Sequence, residues 1–404
     1  MKSHASQAKP PLLPWLLPVA AFALPLVLTF AAKGTVLLLA LVSLGGLAES
    51  VRLQRLPLPS RAVLAVLALM MVWGGLSALW EATPGLALPK LAQLVGLSCL
   101  GIAALGAAAP LAPAQRARVV PALVCGLALV ALIVVEERLT NLALRRWLHD
   151  LQGHPLHVNP WVEMFTYKTA TAVGGVLAVL AASTGVHGRR WLVVLGAGSA
   201  ALVMALVTKS LAGLVAVGAG CALVAVGGRW APRMLAVALI AGFAAAPFAA
   251  QLPSTEQLVH QIKLPTSAAH RIVIWKFSAT KAMERPLLGW GLDAARELPG
   301  GDVSEWVYFD KTWRAQQPVL PLHPHNMFIH VWLELGGVGA VLAALLLLAV
   351  SRAVARRGVP AVATMGAALL VSATSFGAWQ SWWLAVVWLL AVLASAVTPE
   401  EGAA

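Results

Sequence analysis

The chain has 404 residues, 60% of them hydrophobic and 11% charged, and a mean hydropathy of +0.82. Soluble domains are about 45–50% apolar and about 25% charged, so this composition excludes an ordinary soluble fold and points to a polytopic membrane protein. The net charge of +13 does not mark a nucleic-acid binder, because Lys and Arg are scattered through short loops between apolar runs.

Taken in chain order, the apolar runs predict about twelve spans: 12–32, 34–49, 62–80, 91–109, 119–135, 169–186, 191–207, 210–227, 234–250, 327–350, 360–376 and 379–396. Their lengths suit a helix crossing a hydrocarbon core of about 30 Å. The run after Lys2, Lys9 and Pro10-Pro11 lacks a clear cleavage site and reads as a retained first helix. Cys99, Cys125 and Cys221 lie inside apolar runs and read as small buried hydrophobes, with neither a disulfide framework nor a cysteine metal site.

Basic residues orient the spans. With the N-terminus inside, cytoplasmic segments hold fourteen: Lys2, Lys9, Arg52, Arg55, Arg61, Arg116, Arg118, Arg189, Arg190, Arg229, Arg233, Arg352, Arg356 and Arg357. The short outer loops hold only Lys33, Lys90 and Lys209. That bias predicts cytoplasmic termini. The chain then divides into residues 1–250 with nine spans and an outer loop at about 136–168, a large outer loop at 251–326, and 327–404 with three spans.

A structureless connection of 76 residues is improbable inside a compact protein, so 251–326 is expected to be folded and functional. Ser267 to Arg285 predicts a helix ended by Pro286 and Gly289. Ile272, Trp275, Ala279 and Met283 fall on one face, bordered by a basic edge of Arg271, Ser278 and Arg285 with Lys281 nearby. Such a helix is expected to lie in the membrane interface, its cations at phosphate level. Asp302 to Trp313 mixes aromatics with carboxylates, which suits either sugar stacking or an aromatic belt. Trp379, Trp382 and Trp383 read as outer-face anchors.

The most informative stretch is His323-Pro324-His325-Asn326, followed by Gly336-Gly337-Val338-Gly339. Three readings stay open for its histidines and for His330. They could ligate a metal, although no Cys or HExxH pattern supports that. They could belong to a helix cap, since Asn is a good N-cap. Or a neutral imidazole could accept a proton from a hydroxyl. Glu334 lies about two turns inside a span, where an ionisable group needs a partner or a cavity. Lys168 and Lys209 stand at outer ends of spans, where snorkelling to the interface is the plain alternative to a binding role.

These motifs resemble the O-antigen ligase family and the wider set sharing its domain, which includes O-antigen polymerases and some protein O-glycosyltransferases. The ligase pattern His-[Asn/Ser/Gln]-x9-Gly-x2-[Gly/Thr/Tyr] is matched by His325-Asn326, Met327 to Leu335, Gly336 and Gly339. Arg271-Ile-Val-Ile-Trp275 and Pro286-Leu-Leu-Gly289-Trp-Gly291 resemble the start of the family's large loop. Where many relatives have a Ser-Arg-Gly-like element, this chain has Thr208-Lys209-Ser210, and another expected basic residue is Lys168. Lys supplies charge without the bidentate fork of Arg.

The resemblance implies an all-α polytopic membrane protein of about twelve transmembrane helices, with a large periplasmic loop between the ninth and tenth, in the GT-C-like class. It implies an inverting glycosyltransferase without metal or cofactor, in the bacterial inner membrane, its site facing the periplasm. The partners implied are an undecaprenyl-diphosphate-linked glycan donor, a lipid A–core acceptor and the lipid bilayer, with no nucleic acid. His325 and Arg271 are the catalytic candidates. Lys168, Lys209, Lys281, Arg285, His323, Asn326 and Glu334 are the substrate-binding candidates. A polymerase using the same donor is the close alternative. A lipid-linked sugar flippase or transporter is the alternative of another class, disfavoured because the basic candidates cluster at the outer face and no repeated halves are visible.

Overall fold

The computed structural model describes residues 12–109, 111–153, 160–188, 190–262 and 265–398. Lys2, Lys9, Pro10, Pro11 and Arg189, which entered the sequence reading, lie outside the described residues. The first half contains α1 (Leu16–Phe30), α2 (Thr35–Leu53), α3 (Arg61–Leu76), α4 (Ala87–Ala104), α5 (Pro113–Leu139), α6 (Ala143–Leu151) and α7 (Pro160–His187). There follow α8 (Trp191–Thr208), α9 (Leu211–Val226), α10 (Trp230–Ala245), α11 (Thr255–Val259) and α12 (Thr266–Glu284). A hairpin of β1 (Ser304–Tyr308) and β2 (Arg314–Pro318) precedes α13 (Met327–Ala355), α14 (Val359–Thr374) and α15 (Ser381–Val397).

The protein is an all-α polytopic membrane protein. Each predicted span coincides with an apolar helix. Among the described residues, eight helical segments are long and apolar enough to cross a membrane, and α1, α9, α14 and α15 are shorter apolar helices. Large side chains such as Leu132 (68% exposed) and Leu192 (86%) point away from the helix bundle, as lipid-facing residues do. The cysteines follow the same logic. All three are free and exposed, not buried as expected, because an apolar helix surface in lipid has no need to hide them.

α7 is the axis of the bundle. Val173, Val176, Leu177, Leu180 and Ala181 are buried in its interior, packed by α5, α8, α9 and α14. Close approach to α9 is possible because a side chain at Gly213 would press on Thr171. The Thr208 hydroxyl donates to Thr171 Oγ1 across 3.2 Å, so the α8–α9 corner is pinned to the start of α7.

The segment between α10 and α13 is folded. Val259, Ala269, Val307 and Phe309 form one small core, and Ile274, Trp290, Leu298 and Leu320 form another that shares Leu333 of α13. The sequence reading did not anticipate the hairpin, which pairs Val307 with Ala315. The helix expected at 267–285 is present as α12, but turned about a quarter of a revolution from the expected setting. Ile274, Ser278 and Ala282 are buried, while Met283 is exposed. Packing against α13 decides this, so the supposed basic edge faces protein.

α13 is broken at Gly336, whose φ of 64° and ψ of −166° are not helical. The break is buried and its freed groups are satisfied, as backbone at membrane depth requires. Trp290 N–H donates to the Leu333 carbonyl and Gly291 N–H to the Glu334 carbonyl, each at 2.9 Å. Trp73 Nε1–H reaches the Leu335 carbonyl at 3.0 Å, and Gly337 N–H reaches the Pro286 carbonyl at 2.7 Å. A Cβ at Gly336 would run into the Leu287 carbonyl. Gly336→Ala should therefore cost about 2 kcal/mol or more from strain and collision. Gly218→Ala, where a Cβ meets nothing within 4 Å, should be neutral or slightly stabilising. Thermal unfolding in detergent checks both, and equal midpoints would contradict this account.

Candidate active site

The strap 323–326 enters α13 through a side-chain cap: Asn326 Oδ1 accepts from Phe328 N at 2.9 Å and Ile329 N at 3.2 Å. Just before the cap, His325 takes a left-handed backbone with φ of 53°. Its Nδ1 lies 2.7 Å from the Ser375 carbonyl. A carbonyl only accepts, so Nδ1 carries the proton and Nε2 carries the lone pair. Nε2 makes no hydrogen bond among the described residues. Burial lowers the His325 pKa from its ordinary value. The Ser375 bond opposes that shift, while the charges of Arg271, His270 and His330 add to it. The imidazole is thus neutral near pH 7 and has a basic nitrogen to offer.

His323 stacks on this ring, with centroids 4.2 Å apart. Burial, with the neighbouring His325, His330 and Arg296, pushes its pKa down to about 2, and its Nε2 is buried without a hydrogen-bond partner. His323 therefore stays uncharged through the physiological range.

A group of cations stands beside the strap. Lys168 lies in the N-terminal third of α7, Lys209 in the left-handed corner that ends α8, and Arg271 on the buried side of α12. Lys168 is within electrostatic reach of both Arg271 and Lys209, and Arg271 reaches His325. Burial pulls the Arg271 pKa downward, and no ion pair compensates that side chain among the described residues. Lys168 thus feels both other cations, and cations gathered in this way from distant segments can attract an anion.

Other candidates do not join this group. Lys281 and Arg285 lie about 15 and 21 Å along α12 from Arg271. Lys281 Nζ pairs with Glu284 at 3.0 Å. Arg285 lies over the Trp290 ring at 4.1 Å and donates to the Trp80 carbonyl at 3.3 Å. Both brace the loop that follows α12. Asn326 directs its carboxamide oxygen to the helix cap.

Glu334 has no face turned to a ligand. It is 0% exposed and accepts four hydrogen bonds. Asp293 N–H and Trp379 Nε1–H reach Oε2, each at 2.6 Å. Ala295 N–H at 3.1 Å and His330 Nε2–H at 2.9 Å reach Oε1. Every partner is a donor, which fits the ionised carboxylate. Trp379 and Trp383 are buried internal donors, correcting their assignment as surface anchors.

Several functional contacts escaped the sequence reading. His270 Nε2 binds the Pro318 carbonyl at 2.9 Å, tying the hairpin to α12 next to Arg271. Asp293, within the loop after α12, bridges Lys90 at 3.4 Å and Arg296 at 2.9 Å. The His330–Glu334 pair could have been read from its i,i+4 spacing on a helix. The Ser375 carbonyl could not, since backbone oxygens leave no residue signature.

A neutral base beside a cationic cradle can deprotonate a hydroxyl while charge accumulates on a phosphate-like leaving group. Residues 196–344 match the O-antigen ligase family model. Proteins provisionally named polysaccharide ligases are similar over part of their length. That of Rickettsia conorii is 29% identical over 175 residues, 42% of this chain and 42% of that protein. That of Rickettsia prowazekii is 30% identical over 178 residues, with 42% of each chain covered. The Rickettsia bellii protein is 31% identical over 140 residues, 33% of each. The chain thus spans less than half the length of the curated relatives it matches. The shared segment contains Lys209, Arg271, His325, Glu334 and the Gly336 break. Over that segment the chain is similar to the O-antigen ligase family.

Proposed function

We propose that this protein transfers a glycan from undecaprenyl diphosphate to a hydroxyl of lipid A–core, at the periplasmic face of the inner membrane. The observation that carries the reading is the pairing of a free His325 Nε2 with the group formed by Lys168, Lys209 and Arg271. Nε2 takes the proton from the acceptor hydroxyl as its oxygen attacks the anomeric carbon. The bond from that carbon to the diphosphate breaks, and undecaprenyl diphosphate leaves with the electron pair. The cations meet the charge as it develops, and the attack inverts the anomeric centre. Arg271 suits this role because guanidinium grips two phosphate oxygens at once. Lys90, Lys168 and Lys209 lie at the same ends of the helices as the 251–326 segment, while Arg116 and Arg357 cap the far end of α15, which supports the sidedness.

Sidedness is tested by fusion. Alkaline phosphatase joined within 251–326 should be active, and joined after Arg357 it should be silent. The reverse pattern would remove the periplasmic site.

Purified protein with donor and lipid A–core supplied tests the chemistry. Transfer should require lipid A–core, whereas polymer built from donor alone would move the assignment to a polymerase. His325→Ala should lower kcat about 10²–10⁴-fold, with His323→Ala less affected. Because the base must be neutral and its pKa is lowered, the acid limb of the rate profile should lie below pH 6.5, the ordinary histidine value. A limb above that value would assign the titration to another group.

Arg271 gives a separate measurement. Arg271→Ala should lose about two orders of magnitude in kcat, and Arg271→Lys should recover part of it. Near wild-type transfer in the Ala variant at equal abundance would make Arg271 a packing residue.

A further inference from the structure

We propose that His330 and Glu334 act as a positioning pair for His325, through the connector 375–380 between α14 and α15. The idea rests on His325 being the base.

The connector lies across the first turns of α13 and is held at two points. At one end the Ser375 carbonyl receives Nδ1–H of His325 at 2.7 Å. At the other, Ala378 N–H donates to His330 Nδ1 at 2.9 Å and Trp379 Nε1–H donates to Glu334 at 2.6 Å. His330 Nδ1 is an acceptor here, so its proton resides on Nε2 and points to Glu334 Oε1. Glu334 thereby fixes the tautomer of His330. His330 in turn fixes the backbone of Ala378, and the connector presents the Ser375 carbonyl that fixes the tautomer of His325. Phe376, packed on Trp382 and Trp383 at ring distances of 4.7 and 4.9 Å, keeps the short connector stiff between its two grips. The buried carboxylate is also bonded to Asp293 N and Ala295 N, so the same pair references the connector to the loop after α12.

Neither residue meets a substrate in this account. Their effect is on which His325 nitrogen holds the proton and where the ring points. Orienting partners of this kind typically contribute about 10–100-fold. The groups facing His325 are His323 from the strap, His330 from α13, Arg271 and His270 from α12, and the Ser375 carbonyl. Lys168 and Lys209 stand behind Arg271, and Arg296 faces His323. Of these, only the Ser375 carbonyl depends on the connector and favours the protonated ring. Loss of its grip should therefore lower the His325 pKa.

The test uses the full-length protein in detergent with donor and acceptor lipids. His330→Leu should lower kcat about 10–100-fold while changing the donor KM less than about twofold. His330→Asn keeps an acceptor for Ala378 N–H and should recover part of kcat. Trp379→Phe keeps the ring, removes one donor to Glu334 and leaves every charged neighbour of His325 in place, so it should lower kcat by less and move the acid limb to lower pH. An unshifted acid limb in Trp379→Phe, at reduced kcat, would reduce the pair to a structural role. Wild-type kcat in these variants while His325→Ala is dead would overturn positioning and leave the base assignment standing. An active His325→Ala would overturn both.

Discussion

One buried carboxylate organises the functional end of this protein. Glu334 is expensive at that depth unless each lone pair is met, and a carboxylate with its donors removed costs several kcal/mol. The sequence supplies four donors from three separate places: two backbone amides of the loop after α12, one imidazole of α13, and one indole of the α14–α15 connector. Segments distant in sequence are thereby brought to one point. An electrostatic requirement replaces the hydrophobic drive that would gather them in water but is weak between helices in lipid.

Around that anchor the charges are segregated. The carboxylates near the site are already committed: Glu334 to its donors, and Asp293 to Lys90 and Arg296. Two of the histidines carry a ring nitrogen in a defined hydrogen bond, and His323 is held neutral by burial. Lys168, Lys209 and Arg271 gather beside the strap. Lys168 sits on the best-packed helix and Lys209 in a corner fastened by Thr208 to Thr171. The cations are therefore carried on rigid supports, and their repulsion is not relieved by moving apart. Such preorganisation lets fixed charges stabilise a transition state without rearrangement.

Much of the fold was legible because the membrane simplifies the code. A run of apolar residues near span length has few alternatives to a helix, and each predicted span became one. The Asn326 cap was legible for a similarly local reason. Faces were harder to read. The setting of α12 was misjudged because Arg271 looks like a surface residue by type, whereas packing against α13 turns it inward, towards His325. The hairpin was missed because Glu305-Trp306-Val307-Tyr308 is short and its alternation competes with an aromatic-belt pattern. Glu334 was recognised as unusual, but its partners Asp293, Ala295 and Trp379 lie far away in sequence and two of them contribute only backbone. Tertiary structure alone could supply those.

The break at Gly336 divides α13 into two mechanical units. The piece from Met327 to Leu335 is fastened to the loop module and the connector, while the piece beyond Gly337 runs on to Ala355 through the apolar layer. A continuous rod of that length would convert each change in bilayer thickness or tilt into a displacement of its tip. With the rod interrupted and the upper piece bonded sideways, the lower piece can lean without dragging the strap along. The imidazole is then insulated from the fluctuations of the surrounding lipid.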